Sequence, residues 1–192
     1  MTQKHFNITV YTIVAIISVT FIILLSMKLK NIIKALKYRH QNITSNPSNT
    51  MQTAIYYSDT RGYRNNNPLN LRISNNDWTG KVPIEQNTDG AFEQFITMPY
   101  GFRAAMKNIR TLVSKYDCST IQKLINRWAP ESDGNNPQRY ATRVANRTGY
   151  ATDAPIKTHD KDFMCHLVFA MAEVENGSLP LYTDIQLAYD LL

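Results

Sequence analysis

Glu175 stands where a charge is costly. On a helical wheel at about 100° per residue, residues 159 to 175 gather Met164, Leu167, Val168 and Met171 on one side, flanked by Phe163, Ala172 and Val174. Glu175 falls among them, whereas Asp162, His166 and Glu173 fall on the opposite side. A carboxylate in an apolar stripe loses hydration, so its pKa rises and it keeps its proton near neutrality. That is the property a general acid in glycoside cleavage needs. Two readings compete for this position. One is an acid on a cleft floor, next to the backbone opening at Gly177; the other is a helix end whose side chain turns out to water.

A second concentration of polar chemistry is RGYRNNNPLNLR, residues 61 to 72. Asparagine suits neither helix nor strand, because its amide competes for nearby backbone groups. On residue types alone the cluster is either a solvated turn or a binding surface. Other polar features carry less chemistry. His159 and His166 have no acid and nucleophile arranged about them. Arg139, Arg143 and Arg147 recur at i, i+4 and i+8, a solvated face or an attractor of anionic polymer. Cys118 and Cys165 lack metal-ligand spacing, so no metal is expected; they read as buried free thiols, with a single disulfide as the other reading. No phosphate-cradling glycine loop is present, and no cofactor is expected.

The elements that must position these groups are mainly helical. Thr97 and Pro99 open a helix through about residue 116, with Phe102, Met106, Ile109, Val113 and Tyr116 on one stripe. Further helices are predicted over 120–129, where Ile121, Leu124, Ile125 and Trp128 are buried, and over 137–148, 159–175 and 184–192. Between residues 70 and 96, LRI and AFEQFI read as short strands around a Trp78-Thr-Gly80 turn and an Asp89-Gly90 loop. The domain is thus expected to be α+β: mainly α, with a small β-ribbon near its start.

Ahead of it, residues 8 to 27 are twenty residues without charge, proline or glycine. As a helix they would span about 30 Å, the thickness of a bilayer core. They predict one uncleaved transmembrane helix, followed to residue 39 by a basic interfacial helix on anionic lipid. Residues 40–55 read as a flexible linker and 56–192 as one globular domain. Only Lys4 and the amino terminus precede the span, so the carboxyl-terminal domain is expected on the cytoplasmic, or capsid-facing, side of a host inner or virion membrane. The net charge of +6 and a pI near 9.3 suit an anionic partner: a membrane surface, nucleic acid or an acidic wall polymer.

The blocks RGYRNNNPLNLR, Trp78-x-Gly80, Asp89-Gly90-x-Phe92, YGFRA at 100–104, RWAP at 127–130 and VENG at 174–177 occur in series. Together they resemble a family of bacteriophage and prophage virion proteins carrying Gly-x-Arg-Asn-Asn-Asn-Pro-Gly-Asn-x-Arg. Two positions depart from its pattern: Leu69 replaces a glycine, and Val174 stands where a histidine often precedes Glu-Asn-Gly. The resemblance implies a lysozyme-like fold over about 61–190. It further implies a peptidoglycan-degrading glycosidase, a lytic transglycosylase or muramidase, acting during entry or lysis. Glu175 would be the general acid and Asp89, on the ribbon, the second carboxylate, with Glu85 and Glu93 as substitutes. A single-acid transglycosylase would need no partner. Asn65, Asn66, Asn67 and Asn70 would line a saccharide groove with donors and acceptors. Arg64 and Arg72 would meet substrate carboxylates, and Trp78 or Tyr63 would stack on a sugar. The expected partners are the glycan strand, lipid, and capsid or other virion proteins, without specific nucleic-acid binding. The alternative is a non-catalytic structural virion protein whose domain binds saccharide or capsid.

Overall fold

The computed structural model describes residues 59–192, together with Ser18, Thr20 and Ser26, which are helical and exposed. The chain divides into two units, Met1–Ser45 and Asn46–Leu192, and every helix named below lies in the second. The expected membrane span, interfacial helix and linker fall outside the described residues, those three positions apart.

The helices are α1 (Arg61–Arg64), α2 (Met98–Lys115), α3 (Ile121–Trp128), α4 (Pro137–Thr148), α5 (Lys161–Asn176) and α6 (Tyr182–Asp190). Two 3-10 turns, Ile84–Gln86 and Glu131–Asp133, punctuate the connections. Local chemistry fixes several ends. The Thr120, Asn136 and Asp160 side chains accept from the backbone N–H of Lys123, Arg139 and Phe163, as N-caps do. Gly149 and Gly177 close α4 and α5 with φ of 75° and 68°, where glycine is unstrained. Thr97 holds the N-cap position of α2 without a side-chain cap bond, and its hydroxyl is buried without a partner. Tyr116 is also not core: it is 52% exposed, with the Arg127 guanidinium 4.2 Å from its ring centre.

The expectation of an α+β, lysozyme-like fold is overturned. Among the described residues there is no strand, and no helix is long and apolar enough to cross a membrane. The would-be ribbon reduces to the isolated bridges Arg72–Phe92 and Lys81–Phe95. The reason lies in residues 91–96, which divide their pairing between two partners. Ala91 and Glu93 bond to Ile73 and Leu71, while Gln94 and Ile96 bond to Val82 and Gly80. Each ladder therefore stops where it starts.

The core is organised around α5, which packs on α1, α2, α4 and α6. Its residues Phe163, Met164, Leu167, Val168, Met171 and Ala172 are all buried. A helix covered on nearly every side is held by apolar burial rather than by propensity. Its last turn delivers Glu175.

Candidate active site

The polar loop before α2 is built by its own asparagines. Asn67 is fully buried: its Nδ2 donates to the carbonyls of Leu71 and Glu93, both at 2.9 Å, and its Oδ1 accepts from Leu71 N–H. Asn65 donates to Asp89 at 2.7 Å and accepts from Gln94 at 2.9 Å. Asn66 donates to the Phe95 carbonyl at 2.8 Å. Asn66 and Asn70 have φ of 49° and 51°, the left-handed region that asparagine tolerates better than most side chains. The loop is tied to α5 by Asn176, which donates to the Pro68 and Ala172 carbonyls and accepts from the Thr60 hydroxyl. Two glycines permit the approach. A Cβ at Gly62 would lie 2.5 Å from Asn176 Oδ1, and one at Gly101 would lie 1.9 Å from the Asn66 carbonyl oxygen.

With the loop so fixed, Asn70 Nδ2 donates to Glu175 Oε2 at 2.9 Å. From the other side, Tyr140 on α4 donates to Glu175 Oε1 at 2.8 Å, with the Met171 carbonyl at 3.3 Å as its second acceptor. Glu175 sits at the base of a cleft of about 410 Å³ whose walls include Asn70, Arg72, Trp128, Asp133 and Tyr140. Burial pushes its carboxyl pKa up, and the carbonyl end of α5 beside it also disfavours negative charge. The Asn70 amide, the Tyr140 hydroxyl and the Trp128 indole oppose that rise without cancelling it. Burial, followed by the neighbouring Glu175, holds the Tyr140 hydroxyl well above its ordinary pKa, so it remains a donor.

Of the residues expected to bind or react, the cleft therefore gathers Glu175, Asn70 and Arg72. Asn65, Asn66 and Asn67 serve the loop instead. Arg64 is exposed and donates to the Asp59 carbonyl; neither it nor Trp78 is among the cleft residues. Tyr63 is buried, with its hydroxyl donating to the Ser178 carbonyl, so it has no face to offer a sugar. Asp89 accepts from five donors: Arg61 Nε and Nη2, Asn65 Nδ2, and the N–H groups of Ala91 and Phe92. The Arg61 bond first, then the other donors, hold its pKa well below the carboxylate range. Glu93 is buried against Lys81 Nζ at 2.9 Å and the Ser74 hydroxyl and N–H, and Glu85 lies exposed in a 3-10 turn. The second carboxylate on the cleft wall is Asp133, 3.4 Å from Arg72.

As site residues, Tyr140, Trp128 and Asp133 escaped the sequence reading. Trp128, expected in the core, ends α3 half-buried on the cleft wall. Tyr140 shares the buried face of α4 with Ala141 and Val144. Asp133 carried no signal. Both cysteines are buried and free.

These features define a small helical domain with a protonatable carboxyl at the base of a polar cleft. No protein-family model matches the chain. It is 37% identical over 134 residues to Protein P5 of Pseudoalteromonas phage PM2, an alignment covering 68% of this chain and 80% of that protein. The chain belongs to the family of this bacteriophage protein.

Proposed function

We propose that the chain cleaves the glycan strand of peptidoglycan, with Glu175 as the general acid. The supporting observation is the state of that carboxyl: part-buried at a helix end, open to a cleft, and bracketed by the Asn70 and Tyr140 donors. Burial keeps the proton on before reaction. The two donors then stabilise the carboxylate that proton transfer creates. The environment thus serves both halves of the step.

In the step itself, Glu175 gives its proton to the glycosidic oxygen as the bond from C1 to that oxygen breaks. The C6 hydroxyl of the same sugar attacks C1, and its proton passes to the Glu175 carboxylate. A 1,6-anhydro end results and the acid is regenerated. This single-acid route is favoured over hydrolysis because Asp89 is fully engaged within the loop framework. A hydrolytic route would instead need Asp133 to activate water, at the separations that two-carboxylate glycosidases use.

The test is the full-length chain acting on purified cell-wall sacculi, with mass analysis of the products. Anhydro ends in the unsubstituted chain, a loss of about 10²–10⁴-fold in Glu175→Gln and persistence in Asp133→Asn are expected. Reducing ends that vanish in Asp133→Asn would establish hydrolysis. Binding of sacculi without any new ends would leave a structural saccharide-binding role.

A further inference from the structure

The Glu175 cleft adjoins a second concavity of about 260 Å³, lined by Arg143, Asn146, Arg147, Ala170, Glu173 and Val174. Val174 borders both. The walls are α4 and α5, which pack directly on each other. Along α4, Tyr140, Arg143 and Arg147 follow at i, i+3 and i+7, one stripe of the helix. The helical rise sets Arg143 about 4.5 Å along the axis from the residue that donates to Glu175.

The charges in this groove are unequally committed. Arg147 pairs with Glu173 at 2.9 Å, and its guanidinium lies 5.1 Å from the centre of the Phe169 ring. Arg143 is exposed and has no ion-pair partner among the described residues. Its charge nonetheless reaches the Tyr140 hydroxyl. Asn146 contributes a neutral amide to the same wall. A neutral sugar would make no special use of the uncommitted cation. A carboxylate would, because guanidinium matches its two oxygens bidentately.

We propose that the groove between α4 and α5 is a subsite for a carboxylate-bearing unit of the glycan, held by Arg143. The inference rests on the reading of the Glu175 cleft as a glycan site, and adds to it a preference for acidic over neutral strands. Arg143 is a specificity residue here and takes no part in proton transfer.

Isothermal titration tests it with the full-length chain carrying Glu175→Gln, so that bound strands are not consumed. Two probes of equal length are compared: a neutral β-1,4-linked N-acetylglucosamine oligomer, and one whose alternate units bear lactyl-peptide carboxylates. Adding Arg143→Gln is expected to weaken the acidic oligomer about tenfold, less at high salt, and to leave the neutral one unchanged. Equal weakening of both, or of neither, would overturn the subsite while leaving the glycan cleft standing. If neither oligomer binds before Arg143 is changed, the glycan reading falls and the subsite with it.

Discussion

At the scale of single residues, Glu175 is set by opposed forces whose balance can be shifted one neighbour at a time. Tyr140 has one hydrogen and two acceptors, Glu175 Oε1 and the Met171 carbonyl. It can donate to the carboxylate and turn to the carbonyl when the carboxyl is protonated. Tyr140→Phe removes a donor that favours the charged form, so the Glu175 pKa should rise further. The basic limb of the pH–activity profile should then move to higher pH, with kcat lowered about tenfold because the nascent carboxylate is less stabilised. An unmoved limb would separate Tyr140 from the acid. Stability carries the same sign. The folded chain holds the Glu175 proton to higher pH than the unfolded chain, whose ordinary value is 4.5. Stability therefore falls as pH rises from about that value through the folded pKa, and is level above it. Thermal melts should show Glu175→Gln gaining on the unsubstituted chain across that window, with no gain developing below it.

At the scale of elements, α5 and the asparagine loop are separable supports. Leu167 is fully buried in α5, and Leu167→Ala should cost about 2–5 kcal/mol in chemical denaturation. Asp89 supports the loop. Asp89→Ala strands the Asn65 amide and two backbone N–H groups, for an expected loss of about 1–3 kcal/mol. Because the Asp89 pKa is lowered on folding, its contribution is present above the unfolded value of 3.8 and fades as pH falls below it. The variant's deficit should shrink under acid, and a deficit independent of pH would contradict the framework role. The helices were legible because caps and period-3.6 apolar stripes are local signals: Asn136-Pro137 marks a start that the structure keeps, and the helix expected from about residue 159 starts at Lys161. The ribbon was misread because alternation in AFEQFI cannot reveal that its halves bond to different segments. Glu175 was legible from its misplacement on an apolar face. Tyr140 and Trp128 were not, since their approach to Glu175 depends on how α3, α4 and α5 pack, which no local period encodes.

At the scale of the whole molecule, the motif blocks scattered from residue 61 to 177 converge on one place. Gly62 and Asn67 shape the loop, Asp89 braces it, Gly101 lets Asn66 close against α2, and Asn176 pins the loop to the helix that carries Glu175. Most of the asparagines thus act as scaffold, and Asn70 alone among them reaches the acid. Motif blocks made largely of scaffold residues fit a cleft whose geometry has to be held by its surroundings. The most direct measurement is the release of soluble fragments from sacculi by the full-length chain and by its Glu175→Gln variant, followed by mass spectrometry. Release of anhydro-ended fragments that disappears in Glu175→Gln is the predicted result. Undiminished release by Glu175→Gln would contradict the assignment of the acid.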